Sequence, residues 1–305
     1  MDPSGLLILD KPEGLTSHDV VGRVRRALGT RKVGHAGTLD PMATGVLVVG
    51  VGPATRLLGH LALHDKSYRA TIRLGSTTVT DDREGETLAT ADPRLVDALT
   101  DPDIEAALAE LVGEIDQRPS SVSAVKVDGR RAYDRVRSGE TVELAPRRVT
   151  VASIFVDRID RVSGRVDVEV DVTCSTGTYI RAIARDAGHR LGVGGHLTAL
   201  RRTRVGPFGV DSALSLAELD DRRDACLRPM SAVVPSCFAV WSVAAEQDRA
   251  VRLGQRIDYA GPSSVGPVAI MGPDGQFLAL AEDDAGRARY LAVFAQPVGE
   301  PRSGS

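Results

Sequence analysis

The sequence predicts an α+β protein with a small β domain near its C-terminal end. In residues 6–210, short apolar stretches with strand-like alternation are interleaved with stretches of helical spacing. The chain of 305 residues is 42% apolar and 26% charged, which is typical of a globular protein. After residue 236 the apolar runs become short and are separated by Gly, Asp and Pro, a pattern that indicates a small β domain.

The first elements follow from their spacing and their capping residues. The apolar stretch Leu6–Leu9 predicts a short strand. Thr16 or Ser17 is expected to cap a helix that ends at Gly29. One face of this helix carries the apolar residues Val20, Val21, Val24 and Leu28.

The middle of the chain alternates between strands and helices. The polar loop 34–45 is followed by an apolar strand, Val46–Val51, and a short helix near residues 54–63. Strict alternation then predicts a strand at Tyr68–Leu74. Residues 76–103 are acidic, so we expect exposed loops and one short helix, and apolar residues recur at helical spacing from Ile104 to Ile115.

The remaining elements include a basic insertion and the small β domain. Residues 119–146 are basic and polar and predict a hairpin-like insertion. Ile180, Ile183, Ala187 and Leu191 have the spacing of a helix. The predicted strands lie at Val149–Val156, Val166–Val172, Pro267–Met271, Phe277–Ala281 and Tyr290–Phe294, and the tail from Gln296 is predicted to be disordered.

The net charge of −3 conceals an uneven distribution of charge. Residues 1–80 hold 10 basic and 6 acidic side chains, residues 121–150 hold 7 and 4, and residues 181–210 hold 6 and 1. Residues 81–120 offset these segments with 3 basic and 12 acidic side chains. Basic segments that meet in space would follow a phosphate backbone, although solvated surface charge explains the same composition.

The sequence predicts a cytoplasmic protein. No apolar run approaches the roughly 18 residues that span a bilayer, and the first residues lack the features of a signal peptide. The cysteines Cys174, Cys226 and Cys237 are odd in number and widely spaced, which argues against a disulfide framework and a zinc site.

The loop GHAGTLDPMATG, residues 34–45, holds the first candidate catalytic residue. Asp40 is ionised at neutral pH and would act as a nucleophile without an activating base. An arginine beside it would lower its pKa and fix its geometry. Taken alone, however, Asp40-Pro41 is more typical of an ordinary turn.

Two other interpretations of this region are weaker. Gly50-Val51-Gly52 resembles the start of a dinucleotide-binding turn, but repeated βα units do not follow it. His60 and His64 would share one helix face, but the chain lacks the HExxH pattern, so we predict no metal site.

The whole set of motifs, rather than this loop alone, resembles the TruB-type tRNA pseudouridine synthases. The resemblance covers residues 6–210. It is carried by LDKPEGLTSHDVV, GHAGTLDPMATGVLVVG, KSYRA, SAVKVDGRRAY, CSTGTYIRAIARDAG and GGHLTALRRTRVGPF, in that order.

The resemblance implies a role for each matching residue. Asp40 would be the nucleophile, and Arg181 would pair with it. Tyr68 would stack on a flipped uracil, and Tyr179 and Leu200 would line its pocket. His35 would support the rearranged RNA loop and Lys11 would lie near the site. The candidate phosphate contacts of a thumb-like insertion at residues 120–146 are Lys126, Arg130, Arg131 and Arg135.

The resemblance also implies the architecture and the reaction. Residues 1–235 would form a catalytic domain on a mixed, largely antiparallel central sheet flanked by helices, and residues 236–305 a small PUA-like β domain and tail. The expected reaction converts uridine 55 in the TΨC loop of tRNA into pseudouridine, with no cofactor, no metal and no obligatory protein partner, and the protein is expected to be a monomer. The alternative is an RNA-binding tRNA folding factor that needs no turnover.

Overall fold

The structure is a computed structural model that describes residues 3–120, 126–127, 130–131, 145–264 and 266–295. For residues 126–127 and 130–131 it describes the backbone alone. The tail from Gln296, which the sequence predicts to be disordered, lies outside the described residues. Within the described part of the chain, no helix combines the length and the apolar character needed to cross a membrane.

The described elements alternate along the chain. The strands are β1 (Gly5–Lys11), β2 (Val33–Ala36), β3 (Thr44–Val51), β4 (Lys66–Leu74), β5 (Ser76–Thr78), β6 (Thr87–Thr90), β7 (Gly113–Gln117), β8 (Lys126–Val127), β9 (Arg130–Arg131), β10 (Arg147–Val162), β11 (Arg165–Cys174), β12 (Gly195–Val205), β13 (Phe208–Gly209), β14 (Ala239–Ser242), β15 (Val268–Met271), β16 (Phe277–Asp284) and β17 (Arg287–Val293). The helices are α1 (Ser17–Ala27), α2 (Leu58–Leu61), α3 (Pro93–Asp97), α4 (Asp101–Ala109), α5 (Ile180–Arg190), α6 (Leu216–Arg222), α7 (Met230–Cys237) and α8 (Ala245–Arg252), with 3-10 turns at Gly52–Leu57, Val210–Ser212 and Arg223–Cys226.

The central sheet runs in the order β1-β3-β12-β4-β11-β10-β7, with β2 beside β3 and β13 beside β12. Its neighbouring strands are antiparallel except β3 and β12, which are parallel and meet at Thr44–Arg201 and Gly45–Arg202. The predicted α+β class with a mixed, largely antiparallel sheet is therefore confirmed. The parallel junction lies directly after the loop that contains Asp40.

Strands β1 and β3 are apolar over most of their length because both of their faces are covered. Leu7 and Leu9 pack with the apolar stripe of α1. Leu6 and Ile8 point the other way and pack with residues of the C-terminal sheet, among them Met271. The small four-stranded sheet, in the order β14-β15-β16-β17, is thus joined to the central sheet by a shared apolar core.

The predicted strand at Tyr68–Leu74 lies within β4, and its alternation matches the burial of every second residue. Tyr68, Ala70, Ile72 and Leu74 are all buried. They contribute to the core that also receives apolar residues of α4 and α5. Thr16 caps α1 through a capping box with Asp19, as its position before the apolar stripe predicts.

Part of the middle region differs from the prediction. The helix predicted from Ile104 to Ile115 ends at Ala109, and Ile115 lies in β7. Gly113, the first residue of β7, has a φ of +107°, a conformation that does not belong to a helix. The predicted loops of residues 76–103 also contain the paired strands β5 and β6, whose Ser and Thr residues gave no apolar alternation.

The Gly50-Val51-Gly52 turn has a packing explanation. A Cβ atom on Gly52 would lie 2.6 Å from the carbonyl oxygen of Pro3, and one on Gly50 would lie 3.0 Å from that of Ala54. The preceding strand, β3, is antiparallel to both β1 and β2. These glycines therefore permit close backbone approach in a sheet that differs from a βαβ nucleotide-binding unit.

Replacement of Gly45 by alanine is expected to lower the free energy of unfolding by at least about 3 kcal/mol. Gly45 has a φ of +102°, and its Cβ would lie 2.1 Å from the carbonyl oxygen of Arg202. Gly113→Ala is the matched control because its φ is similar and no atom lies within 4 Å of its Cβ position. Backbone strain alone should cost the control about 1–2 kcal/mol. Urea unfolding measures both free energies. If Gly45→Ala and Gly113→Ala lose the same free energy of unfolding, the close contact between β3 and β12 does not cause the destabilisation of Gly45→Ala.

Candidate active site

Buried polar side chains form hydrogen bonds with the backbone of the loop that carries Asp40. The hydroxyl group of Ser17 accepts a hydrogen bond from the Leu39 amide at 2.8 Å. The Lys11 ammonium donates to the carbonyl groups of Pro12, Leu15 and Pro41. The Arg202 guanidinium donates to those of Gly37, Thr38 and Val46. These bonds fix the backbone on both sides of Asp40.

Arg181, in the first turn of α5, lies against Asp40. Its Nη2 donates a hydrogen bond to Oδ1 of Asp40 at 3.2 Å, and its Nε lies 3.1 Å from Oδ2, close enough for an ion pair but without hydrogen-bond alignment. Its Nη1 donates to the carbonyl oxygen of Thr80 at 2.9 Å and lies 3.3 Å from Asp82. One buried guanidinium thus spans two carboxylates, and only the Asp40 side chain is substantially exposed, at 35%.

Burial raises the pKa of Asp40 above its ordinary value, and the negative charge of Asp82 adds to this effect. The charges of Arg181, Lys11 and Arg202 act in the opposite direction. The sequence led us to expect that the arginine would lower this pKa. The lowering effect of Arg181 on this pKa is present, but desolvation of the carboxylate is the larger effect, so the net shift of the pKa is upward.

Asp40 opens into a cavity of about 240 Å³. Tyr179, Arg181 and Leu200 line this cavity, as the resemblance led us to expect, together with Lys66 and Arg202. Asp40 is the one carboxylate among the described residues that line it. A larger groove of about 560 Å³ between Pro207 and Ser236 has no carboxylate among the side chains that the structure describes in its lining, so we assign the chemistry to the smaller cavity.

Lys11 and Lys66 are both buried near the cavity, and burial lowers the pKa of each ammonium group to about 8. Lys11 is fully covered and is absent from the cavity lining, so it acts on the loop rather than on a ligand. Lys66 lines the cavity, although its ammonium donates to the carbonyl groups of Ala62 and His64.

Two predicted substrate-binding residues lie outside the cavity lining. Tyr68 is 7% exposed and packs in the core with Leu39 and Met42. His35 is half-buried in β2, opposite Val49 of β3, and burial lowers the pKa of its imidazole. The stacking role of Tyr68 and the RNA-supporting role of His35 therefore stay predictions.

The thumb-like insertion is described only in small part. Lys126 and Val127 form a backbone pair with Arg131 and Arg130. Most of the predicted hairpin-like insertion at residues 119–146 lies outside the described residues, so it stays a prediction. The side chains of Lys126, Arg130 and Arg131 are outside the description, and Arg135 lies outside the described residues altogether. Their role as phosphate contacts stays a prediction.

The sequence did not single out Ser17, Arg202, Asp82 and Gln117, although all four are buried at the site. Ser17 follows a helix cap, and Asp82 lies in an acidic stretch, TDDREGE, that is typical of an exposed loop. Arg202 lies beside Arg201 and Arg204 and resembles surface charge. Only their long-range partners distinguish these residues from ordinary surface residues.

Asp82→Asn is expected to move the acid limb of the pH–rate profile to lower pH. The predicted role of Asp40 as a nucleophile requires its ionised form, so we expect activity to be lost as the pH falls through the folded-state pKa of Asp40. The Asp82 charge raises that pKa, and its removal therefore lowers it. The plateau rate should also fall, because Arg181 loses one of its partners.

The pH profile of the single-turnover rate constant measures this change. Glu110→Gln is the control because Glu110 pairs with Arg190, which lies at the C-terminal end of α5, the helix that carries Arg181 in its first turn. Its acid limb should coincide with that of the unaltered protein. If the acid limb of the Asp82→Asn profile coincides with that of the unaltered protein, or lies at higher pH, the electrostatic explanation is wrong.

A profile for the N-terminal domain of TruB family pseudouridylate synthases matches residues 25–180. The chain belongs to the TruB family. Two further profiles of this family extend the match: residues 181–234 match a tRNA pseudouridylate synthase B C-terminal domain, and residues 238–295 match the C-terminal region of tRNA pseudouridine synthase II. The site described above lies within the first two matched segments and the residues that precede them.

Relatives and solved structures agree with this membership. The chain is 53% identical to tRNA pseudouridine synthase B of Cutibacterium acnes, over 95% of this chain and 98% of that protein. It is 55% identical to the protein of the same name in Thermobifida fusca, with the same coverage. A crystal structure of a Cbf5-Nop10-Gar1 complex contains a similar chain, with a TM-score of 0.72 and 28% identity over 96% of this chain and 85% of that one.

Proposed function

We propose that this TruB-family protein is a tRNA pseudouridine synthase that isomerises uridine 55 in the TΨC loop. The observation that carries the proposal is the Asp40 carboxylate, which opens into the cavity while Arg181 contacts both of its oxygen atoms. The names of the relatives at 53% and 55% identity support the reaction and its tRNA substrate. The choice of position 55 rests on the resemblance of the motifs.

The reaction breaks the N1–C1′ glycosidic bond, turns the uracil and joins C5 to C1′. The C5 proton is lost and N1 takes up a proton, so the product is an isomer of the substrate and no redox cofactor is required. Asp40 acts as the nucleophile, by attack at C1′ or through an acylal or glycal route. A charged, oriented carboxylate in a partly desolvated cavity suits each of these routes.

The neighbouring residues have physical roles in this reaction. Flipping a base out of its stack costs a few kcal/mol. Stacking on an aromatic ring returns about 1–3 kcal/mol per base, a role that we assign to Tyr68, while Tyr179 lines the pocket. Leu200 contributes an apolar contact, and Arg181 keeps Asp40 oriented through charge-assisted contacts. His35 supports the displaced RNA loop, and Lys11 holds the backbone of the catalytic loop.

The proposal extends to the organisation of the molecule. Residues 1–235 form the catalytic unit with its thumb at 120–146, and residues 236–305 form the PUA-like unit and tail. Residues 241–305 hold 6 basic and 8 acidic side chains, so we expect this unit to bind phosphate groups weakly. The protein works on tRNA in the cytoplasm as a monomer and without an obligatory protein partner.

Incubation with an unmodified tRNA transcript tests the proposal. After the reaction, carbodiimide treatment and primer extension locate pseudouridine at single-nucleotide resolution. A stop that reports position 55, absent from a transcript with cytidine at that position, is the expected result. Modification at another position, or none at all, would contradict the proposed target.

A further inference from the structure

Gln117, at the end of β7, makes a two-point contact with the backbone of Tyr179. Its Oε1 accepts a hydrogen bond from the Tyr179 amide at 2.7 Å, and its Nε2 donates to the Tyr179 carbonyl oxygen at 3.0 Å. Gln117 is only 2% exposed. A buried side-chain amide whose two ends are both satisfied by one residue fixes that residue strongly.

Tyr179 depends on such a contact because of its place in the chain. It precedes α5 with φ −102° and ψ 110°, and its own side chain makes no capping hydrogen bond. Tyr179 lines the cavity into which Asp40 opens. Its carbonyl oxygen also accepts hydrogen bonds from the amides of Ala182 and Ile183 in α5, whereas its own amide bonds only to Gln117 among the described residues.

Arg118, the residue after Gln117, contacts the helix α5 that follows Tyr179. Arg185 donates a hydrogen bond from Nη2 to the carbonyl oxygen of Arg118 at 2.8 Å. Its Nη1 lies 3.1 Å from Asp81. Gln117 and Arg118 therefore contact Tyr179 before Arg181 and Arg185 after it, and Arg181 is the partner of Asp40.

We propose that Gln117 is a positioning residue for the isomerisation, since its side-chain amide sets the backbone of Tyr179 and thereby the place of the Tyr179 ring beside Asp40. This inference rests on the proposed function. Gln117 is too deeply covered to touch the substrate, and it is absent from the cavity lining. Loss of its two hydrogen bonds should therefore impair the chemical step and leave tRNA binding intact.

Gln117→Met tests this inference because methionine keeps the length of the side chain and loses both hydrogen bonds. The single-turnover rate constant should fall about 10- to 100-fold, as small misplacements of reacting groups do. The Kd for tRNA should stay within about two-fold. In a Tyr179→Ala background the same substitution should change the rate by less than about three-fold, because coupled residues are not additive.

Two further variants separate positioning from general destabilisation. Gln276→Met removes a half-buried amide that lies just before β16 and bonds to Asp248 of α8, and it should leave the rate unchanged. Gln117→Glu keeps the acceptor for the Tyr179 amide and loses the donor, so its rate should fall between those of Gln117→Met and the unaltered protein. It also serves as the test if Gln117→Met does not fold.

The outcomes are distinguishable. If the unaltered protein forms no pseudouridine in tRNA, the proposed function fails. If it does, and Gln117→Met or Gln117→Glu matches its rate, the positioning role is wrong. The role is also wrong if the rate loss is as large in the Tyr179→Ala background, or if it appears wholly as weaker tRNA binding.

Discussion

Asp40→Asn is expected to lower the rate of pseudouridine formation by at least about 10⁴-fold, because removal of a nucleophile removes the chemical step rather than a share of it. Asparagine has nearly the same shape and keeps an oxygen that can accept from Arg181, so the cavity should persist. Its amide is neutral and a poor nucleophile at neutral pH. The Kd for tRNA should therefore stay near that of the unaltered protein.

Single-turnover assays with unmodified tRNA, together with filter binding, measure both quantities. Asp167→Asn is the matched control because Asp167 also pairs with an arginine, Arg73, but lies in β11 away from the cavity lining. Mass spectrometry of the Asp40→Asn protein must exclude deamidation, which restores aspartate. Turnover within ten-fold of the unaltered rate would show that Asp40 is not the nucleophile. The same variant tests the alternative function, because a tRNA folding factor would not need the Asp40 carboxylate for its activity.

Arg181→Lys is expected to reduce the single-turnover rate constant by about 10²–10³-fold, comparable with the loss of an oriented charge-stabilising group in other active sites. The guanidinium contacts Asp40, Asp82 and the Thr80 carbonyl together. A lysine ammonium is a compact point charge that cannot span these groups with the same geometry. The positive charge remains, so the experiment measures orientation rather than charge.

Arg73→Lys is the control for this second change. Arg73 makes a two-point contact with Asp167 across β4 and β11, and it lies outside the lining of the cavity. Its replacement should leave the rate constant within about two-fold. An Arg181→Lys protein with a rate within three-fold of the unaltered one would mean that charge near Asp40 is sufficient without the fork-shaped contact.

Local patterns in the sequence were sufficient for the elements with one dominant period. The alternation of Tyr68–Leu74 and the stripe of α1 both match the structure. The error at Ile115 arose because apolar residues at helical spacing continue past the end of α4 into a strand. The helix ends at Ala109, and Gly113 begins the strand with a positive φ, a backbone conformation that the spacing of side chains does not record.

The site was accessible from the sequence only where a residue lies within a distinctive motif. Asp40 and Arg181 are 141 positions apart, and the sequence-based pairing of the two rested on resemblance alone. Asp82 and Gln117 contact α5 from segments that look like an acidic loop and the end of a helix. Their importance follows from long-range hydrogen bonds, which composition and periodicity do not encode.

The clamped loop around Asp40 has a consequence for the choice of RNA. Its carbonyl groups are already satisfied by Lys11 and Arg202, so the protein side is rigid before any nucleic acid arrives. The deformation needed for reaction then falls on the substrate. Among RNAs with the same sequence at the target, those whose loops deform at a lower cost in free energy should react faster. The flexibility of the RNA loop, in addition to base identity, then contributes to substrate specificity.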